Sequence, residues 1–375
     1  MLLFDLTAAQ GWGTTKQHGG GKYAEIVFEA LCKAKVPMVA MWDSRRWISE
    51  NLLELCKQYN IQKVDSAKQE LDRIVSENKI TKIYSAFPEN EILKFRGCKI
   101  IVTLHGLRKL EMPNEWIQLR YPLTNWNKIK LVVKMLLPKK CVQRNPIKFY
   151  ERYFSNDLLR IVVVSNHTKY AISAYYPRVC IDKIGVFYSP STSYPISVKR
   201  QKSNYFLIVS ANREEKNVLR AIMAFDRLVS MGMLNEYRMK LTGINKNIFN
   251  YKIQNPNLFE FCGYVSEEEL NSLYANAYAF VYPSLTEGFG YPPLEAMRYG
   301  VPVLASSHTS ISEVCGGAAL YFNPFSIEEI MNRLLQIKDS DIYMHYEMES
   351  PKRYSEITYK QKEDLVALVT YIGQV

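Results

Sequence analysis

The residues of this chain best suited to chemistry are two glutamates, Glu287 and Glu295, at the ends of the sequence EGFGYPPLE. Glycines let a backbone come close to a ligand, and proline suits the first turn of a helix, where a missing N–H costs nothing. The pattern predicts a loop over 283–290 and then a helix with Glu295 in its first turn. Both carboxylates could then hold a hydroxyl-rich ligand. The alternative is that the glutamates only cap the helix, which leaves the glycines unexplained.

Two cations, Arg213 and Lys216, lie in the sequence SANREEKN, directly after a predicted strand at 205–210. Fixed positive charges aimed at a departing group stabilise the negative charge that grows on it. The alternative is an exposed turn in which the arginine, the two glutamates and the lysine pair with one another.

Two further candidates lie near the start of the chain. Gly20 and Gly21 belong to the sequence HGGGKY, and glycines that open a helix suit the close approach of a phosphate. The spacing is not G-x-G-x-x-G and no acid follows at the dinucleotide distance, which argues against a nicotinamide site. His105 follows a predicted buried strand. The alternatives are a flexible surface turn and a satisfied histidine at a strand end.

The order of these motifs resembles the retaining family-4 glycosyltransferases of GT-B fold, also called glycosyl transferases group 1. The glutamates have the E-x7-E spacing of that family, and the resemblance runs almost without gaps from residue 205 to residue 330. Other segments that carry it are FCGYVS at 261–266, GVPVLASS at 300–307, SEV at 312–314 and ALYFNP at 319–324.

The resemblance implies how a nucleotide diphosphate sugar, the donor, would be bound. Glu287 would contact the sugar hydroxyls and help to stabilise positive charge at the anomeric carbon, and Glu295 would bind the ribose. The backbone amides of Phe289, Gly290 and Tyr291 would lie near the sugar and the diphosphate.

The resemblance also assigns the remaining candidates. Arg213 and Lys216 would clamp the diphosphate, and such a clamp often replaces a metal ion, so we expect neither a metal nor a cofactor. Gly20 and Gly21 would face the diphosphate across a cleft. His105 would stand beside the donor sugar, although this chain has His-Gly where the family usually has His-Asp. Thr309 and Ser310 are further candidates for reaching a phosphate.

Alternating strand-like and helix-like stretches predict an α/β fold with parallel sheets and helices on both faces. The resemblance makes this a GT-B fold, with two Rossmann-like domains facing a central cleft. We predict an acceptor-side domain at 1–190, a donor-binding domain at 204–353 and a terminal helix at 354–375 that crosses back to the first domain. Predicted strands lie at 2–6, 38–42, 83–85, 99–104, 160–165, 205–210, 238–242, 258–261, 279–282, 302–305 and 319–322.

The net charge of +11 is concentrated at 108–152, which holds eleven basic and three acidic residues. The functional interpretation is attachment to anionic lipid head groups; the alternative is a solvated basic face. Seven cysteines without a C-x-x-C pair indicate a reducing compartment. We therefore expect a cytoplasmic protein, peripheral at the inner face of the cell membrane.

These observations predict transfer of a sugar from a nucleotide diphosphate sugar to a hydroxyl of a glycan or lipid-linked acceptor, in cell-surface polysaccharide or lipopolysaccharide synthesis. One alternative is a sugar-nucleotide 2-epimerase of the same fold. Others are a non-catalytic sugar binder and a basic nucleic-acid-binding protein. Nucleic acid is not an expected partner, because no recognition module is evident and glutamates in the key loop would repel phosphates.

Overall fold

The computed structural model of the protein describes residues 1–11, 19–191 and 200–374. The chain divides into two compact units. The first unit comprises Met1–Leu107, Asn145–Ser193 and Thr358–Val375, and the second comprises Arg108–Arg144 and Tyr194–Ile357.

The first unit is built on a sheet of seven parallel strands. The strands are β1 (Leu2–Asp5), β2 (Met38–Trp42), β3 (Gln62–Asp65), β4 (Lys82–Ser85), β5 (Lys99–Leu104), β6 (Leu159–Val163) and β7 (Ile184–Val186). Their order across the sheet is β3-β2-β1-β4-β5-β6-β7. The order reverses between β1 and β4.

The second unit is built on a sheet of six parallel strands. They are β8 (Tyr205–Ile208), β9 (Arg238–Thr242), β10 (Phe259–Gly263), β11 (Ala279–Tyr282), β12 (Val303–Ser306) and β13 (Ala319–Phe322). Their order is β10-β9-β8-β11-β12-β13, the arrangement of a Rossmann sheet. The predicted α/β class with two Rossmann-like sheets is confirmed.

Helices connect most consecutive strands, as parallel sheets require. The helices are α1 (Gly19–Lys33), α2 (Glu50–Gln58), α3 (Leu71–Glu77), α4 (Asn90–Lys94), α5 (Arg108–Glu111), α6 (Asn125–Leu136), α7 (Lys139–Glu151), α8 (Asn166–Tyr175), α9 (Val218–Ser230), α10 (Glu267–Asn276), α11 (Tyr291–Arg298), α12 (Ser310–Cys315), α13 (Ile327–Gln336) and α14 (Ser340–Gln374). Strands such as β1, β8 and β11 are buried throughout their length, so their continuous apolar runs are explained by helices on both faces.

Two strands were missed in the sequence because they are poor in buried apolar residues. β3 buries only Val64 of its four residues, and β7 has only three residues. Both are edge strands, so each has a single strand neighbour.

Residues 108–144 group with the second unit, although the sequence analysis placed them in the first domain. The Tyr121 ring packs against Phe249 at 5.1 Å between ring centroids, and the Asn250 N–H donates to the Arg120 carbonyl oxygen at 2.7 Å. These contacts join residues more than a hundred positions apart. Local patterns in the sequence therefore gave no sign of them.

The terminal helix is longer than the predicted one, because α14 begins at Ser340 and continues through Pro351. Its residues from Thr358 onward group with the first unit. There the Gln361 side chain donates to the Ser189 carbonyl oxygen at 2.6 Å, and Asp364 accepts from the Tyr188 N–H at 2.8 Å.

A buried carboxyl, Asp5, ends β1 where the strand order of the first sheet reverses. Its oxygens accept hydrogen bonds from the Thr7 N–H at 3.0 Å and the Ser85 hydroxyl at 2.5 Å. Burial raises the pKa of Asp5 to about 6, and these hydrogen bonds only partly oppose the rise.

Replacing Asp5 by asparagine is expected to make the protein less sensitive to pH. Because the pKa of Asp5 is higher in the folded state than its ordinary value of 3.8, the folded state holds the proton longer. Its contribution to stability is therefore present below pH 4 and is lost as pH rises through about 6, a change of about 3 kcal/mol. Urea unfolding at pH 4 and pH 7 should show Asp5→Asn gaining on the wild type by most of that amount. Parallel pH profiles would contradict this prediction.

No helix within residues 1–11, 19–191 and 200–374 has the length and apolar character needed to cross a bilayer. All seven cysteines carry free thiols.

Candidate active site

The candidate site lies in the second unit, where the strand order reverses between β8 and β11. These neighbours pair in parallel, with Phe206 beside Ala279 and Leu207 beside Phe280. From their carboxyl ends the chain continues into two loops, which we call the basic turn (residues 210–217) and the acidic loop (residues 283–290). Ligands of open α/β sheets bind at such a reversal point.

The Lys216 ammonium and the Glu287 carboxylate meet at this point. Lys216 Nζ lies 2.6 Å from Glu287 Oε1, and the two side chains are 7% and 17% exposed. The ammonium also donates to the Tyr282 hydroxyl at 3.0 Å, and the Ser284 hydroxyl donates to Glu287 Oε1 at 2.6 Å. One carboxylate oxygen is therefore held by two donors from different loops.

The protonation of Glu287 follows from these neighbours. Burial raises the pKa of the carboxyl, but the charge and hydrogen bond of Lys216, together with hydrogen bonds from Ser284 and Tyr282, outweigh it. The pKa of Glu287 therefore lies below its ordinary value, so the group is an anion at neutral pH. Burial and the adjacent carboxylate raise the pKa of Tyr282 well above its ordinary value, so its hydroxyl keeps its proton.

Thr309 and Ser310 hold the acidic loop through hydrogen bonds to its backbone. The Thr309 hydroxyl accepts from the Glu287 N–H at 3.0 Å and donates to the His308 carbonyl oxygen at 2.8 Å. Ser310 Oγ lies 2.9 Å and 2.8 Å from the carbonyl oxygens of Glu287 and Phe289. Thr309 adopts φ 55°, a conformation that costs energy for a residue with a side chain. Both hydroxyls thus fix the loop, and their contact with a phosphate stays a prediction.

Gly290 ends the acidic loop in the left-handed region, with φ 112°, immediately before α11. The helix begins at Tyr291, so Pro292 and Pro293 fall in its first turn as expected. A side chain at Gly290 would meet no atom within 4 Å, so glycine is required here by the backbone angle and not by crowding. Phe289 is buried and packs against the Tyr291 ring at 5.4 Å.

The expected place of Glu295 in the first turn of the helix is wrong. Because α11 begins at Tyr291, Glu295 is its fifth residue and lies one turn further on. Its carboxylate is 3.7 Å from the Arg298 guanidinium. Neither Glu287 nor Glu295 caps the helix, whose N-cap is Gly290, so the capping alternative is also wrong.

The basic turn does not pair within itself. Lys216 pairs with Glu287, and Glu215 pairs with Arg108 at 2.7 Å. Arg213 is exposed, and within the part of the chain that the structure describes its guanidinium makes no hydrogen bond or ion pair. The turn therefore presents one buried cation beside a carboxylate and one cation available to a ligand.

His105 lies in the first unit, at the end of β5. Its ring stacks on Phe87 at 4.2 Å and meets Tyr23 edge-on at 4.7 Å. Its Nε2 atom is 3.1 Å from the Ala86 carbonyl oxygen. The histidine is thus held by aromatic neighbours at the carboxyl end of the sheet, and its place beside a donor sugar stays a prediction.

Gly20 and Gly21 lie in the first turn of α1, which begins at Gly19 as the glycine-rich sequence predicted. A Cβ atom at Gly20 would lie 2.1 Å from the Phe87 ring, so Phe87 occupies the space that the missing side chain leaves. A side chain at Gly20 would therefore require the Phe87 ring to shift. Residue 18 of the same motif falls outside the described residues.

No motif in the sequence singled out Tyr282 and Ser284, which contact the Lys216–Glu287 pair, or Phe87, which stacks on His105. Tyr282 and Ser284 flank the end of β11, where chemistry-bearing residues of parallel sheets collect. Phe87 follows β4 in the same way. Their position at or just after the carboxyl ends of predicted strands is the signal that could have identified them.

Within residues 1–11, 19–191 and 200–374, no group of three or more histidine, cysteine, aspartate or glutamate side chains could hold a metal ion. That the reaction needs no metal stays a prediction.

Two curated relatives resemble this chain over 60% and 51% of its length. O-antigen chain mannosyltransferase RfbU of Salmonella typhimurium is 30% identical over 230 residues, 60% of this chain and 56% of the relative. O-antigen chain mannosyltransferase B of Escherichia coli is 34% identical over 199 residues, 51% of this chain and 48% of the relative. The chain thus spans about half the length of the curated relatives it matches.

Solved structures share the fold over the whole chain. WaaG, a glycosyltransferase involved in lipopolysaccharide biosynthesis, matches with a TM-score of 0.67 at 12% identity, covering 100% of both chains. HepE of Anabaena, solved in complex with UDP-glucose, matches with a TM-score of 0.62 at 13% identity, covering 98% of this chain and 99% of HepE. The predicted GT-B fold class is confirmed.

The family model described as "Glycosyl transferases group 1" matches residues 192–361, a range that contains the basic turn and the acidic loop. The part of the chain that carries the Lys216–Glu287 pair is therefore similar to the glycosyl transferases group 1.

Proposed function

We propose that this protein is a retaining glycosyltransferase that moves a sugar from a nucleotide diphosphate donor to an acceptor hydroxyl. The observation that carries the proposal is the contact between the Lys216 ammonium and the Glu287 carboxylate, 2.6 Å apart at the reversal point of a Rossmann sheet. This pair supplies a cation for the diphosphate and an anion for the sugar within one site.

Transfer would proceed on one face of the sugar. The bond between the anomeric carbon and the phosphate oxygen breaks, and the acceptor oxygen bonds to that carbon from the same face. The acceptor proton passes to the departing phosphate oxygen. Arg213 and Lys216 would stabilise the charge that grows on the diphosphate. Glu287 would stabilise the positive charge on the sugar and is not asked to be a nucleophile, unlike the second carboxylate of retaining glycosidases.

Mannose is the sugar that we propose for the donor. Both curated relatives described above are named mannosyltransferases, and a third, the serotype-specific mannosyltransferase WbdA of Escherichia coli, is 47% identical over 70 residues. For the acceptor we propose a growing O-antigen glycan, carried on a lipid, because two of these relatives are named for the O-antigen chain.

A donor screen followed by a turnover assay tests this function. One of the UDP-, GDP-, ADP- and dTDP-sugars should raise the melting temperature of the protein. That donor should then release nucleoside diphosphate when a lipid-linked glycan extract is added, with EDTA present throughout. Conversion of the donor into another nucleotide sugar without any acceptor would instead indicate an epimerase. Absence of stabilisation by every donor would contradict the proposal.

We further propose that α6 docks on an anionic membrane. Its outward face carries four apolar side chains, 47–73% exposed, at the helical spacing of three and four residues: Trp126, Ile129, Val133 and Leu136. Leu137, the C-cap residue, is exposed as well. Its opposite face packs inward through the buried side chain of Leu131. An exposed apolar stripe of this length, flanked by basic residues, is typical of helices that lie in a bilayer surface.

The positive charge around this stripe favours a membrane with an anionic surface. Between Glu115 and Glu151 the chain has eight basic residues and no acidic one. Lys130 lies over the Trp126 ring, with Nζ 5.2 Å from the ring centroid, so the two can enter the head-group region together. Each basic residue near an anionic surface contributes about 1 kcal/mol to binding.

Replacing Val133 by aspartate is expected to release the protein from anionic vesicles. The wild type should float with vesicles that contain about 30% of the anionic lipid phosphatidylglycerol, because their surface potential is negative. It should not float with vesicles of pure phosphatidylcholine. Val133→Asp should lower the bound fraction at least about fivefold, because it places a charge in the apolar stripe. Val366→Asp is the matched control, since Val366 is an exposed helical valine that belongs to the first unit and not to α6. Equal binding of the two variants would contradict the prediction.

A further inference from the structure

Residues 108–121, a stretch of the second unit that no motif singled out, lie against the candidate site. The Arg108 guanidinium is 2.7 Å from the carboxylate of Glu215, whose side chain is buried. The carbonyl oxygen of Glu215 in turn accepts a hydrogen bond from the Leu285 N–H at 2.8 Å and lies 3.1 Å from the Ser284 hydroxyl oxygen. The ion pair therefore fixes the residue that joins the basic turn to the acidic loop.

A second ion pair is linked to the basic turn through Asn217. Glu115 lies 2.9 Å from the buried guanidinium of Arg220, which also donates to the Asn217 side-chain oxygen at 2.8 Å. The Asn217 amide then donates to the carbonyl oxygens of Pro283 at 3.1 Å and Pro324 at 2.7 Å. Asn217 itself has φ 54°, so its left-handed backbone depends on these side-chain bonds.

The two ion pairs converge on the neighbours of Lys216. Glu215 precedes it and Asn217 follows it, and each is bonded both to the acidic loop and, directly or through Arg220, to residues 108–121. Removing one member of a buried pair leaves the other charge uncompensated, so the turn would lose one of its two supports.

We propose that Arg108 and Glu115 are positioning residues that hold the basic turn against the acidic loop, so that Lys216 reaches Glu287. They act through Glu215 and Arg220 and are not themselves asked to touch the donor. The structural part of this inference is independent of the proposed function; only its consequence for donor binding depends on that function.

Amide hydrogen exchange of the unliganded full chain tests the inference. We compare the wild type with Arg108→Gln and Glu115→Gln. The matched control is Glu328→Gln, which breaks an exposed ion pair with Arg227, 3.3 Å long, at the far end of α9. Peptides that cover the acidic loop and the basic turn should exchange at least about tenfold faster in the two test variants, because local opening becomes easier. The control should exchange like the wild type.

A donor-binding measurement follows with the nucleotide sugar that stabilises the wild type. Its Kd should rise at least about tenfold in both test variants, and Glu115→Asp should recover part of the loss. Wild-type exchange in the acidic loop of folded Arg108→Gln would overturn the inference. If Glu115→Gln does not fold, the hydrogen exchange of Arg108→Gln alone decides. Arg108→Gln is expected to fold, because the Arg108 side chain is 60% exposed. A wild type that binds no nucleotide would contradict the proposed function, whereas the exchange result would still decide on Arg108 and Glu115.

Discussion

Lys216→Met is expected to lower the turnover of donor about 100- to 1,000-fold, the loss typical of removing one charge-stabilising donor from an active site. The ammonium is fixed before any ligand arrives, since it is bonded to Glu287 and Tyr282 and only 7% exposed. A cation held in this way needs no reorganisation as charge grows on the departing diphosphate. Release of nucleoside diphosphate, measured under saturating donor, reports the loss.

Lys240→Met is the matched control for this turnover assay. Lys240 also forms an ion pair, with Glu260 at 3.0 Å, but that glutamate is half exposed and lies on β10. Its substitution should leave turnover within about twofold of the wild type, because a surface ion pair contributes about 0–1 kcal/mol. Turnover in Lys216→Met close to that of Lys240→Met would remove Lys216 from the mechanism.

Lys216→Met is also expected to lower the free energy of unfolding strongly, and a second substitution should reverse this loss. In Lys216→Met the Glu287 carboxylate stays buried without its counter-charge, and breaking a buried pair from one side costs about 3–5 kcal/mol. In the double variant Lys216→Met/Glu287→Gln no charge is left uncompensated, so most of the free energy of unfolding should return. Turnover should stay as low as in the single variant. Urea unfolding and the turnover assay measure the two outcomes separately.

The pH dependence provides a second test of this pair. The pKa of Glu287 lies below its ordinary value of 4.5 in the folded protein, so the stability from the pair is present above pH 4.5 and is lost as pH falls through the lower folded pKa. The unfolding free energies of the wild type and Lys216→Met should therefore converge in acid. A constant difference from pH 7 down to pH 3, or a double variant as unstable as the single one, would show that the charge on Glu287 does not support the fold.

Several elements could be predicted from the sequence because their signals are local. β2, β5, β11 and β13 have the predicted ends, since each is a largely apolar run, and so has β9, in which polar and apolar residues alternate. The acidic loop ends at Gly290 as predicted, because only a residue without a side chain adopts its φ of 112° at little cost. The edge strands β3 and β7 carried too little apolar signal to be seen.

Partners distant in the chain could not be predicted in the same way. The sequence placed Arg213 and Lys216 together as one clamp, whereas the structure separates them into an exposed guanidinium and a buried ammonium paired with Glu287. The sequence analysis of Gly20 could not show that the Phe87 ring packs against it, and the approach of a phosphate to this glycine stays a prediction. Each of these outcomes depends on which loops the sheet order brings together.

The sequence by itself determined the class of this protein: alternating strands and helices, glycine at the turns that need it, and the acids and cations of a family motif. These are properties of residues and their near neighbours, which a linear pattern contains. Only the tertiary structure decided that Lys216 pairs with Glu287, and that residues 108–121 support the turn between them from another part of the chain. The physical reason is that a parallel sheet places neighbours by strand order, and the chain leaves β8 and β11 at one shared edge despite the seventy residues that lie between those strands.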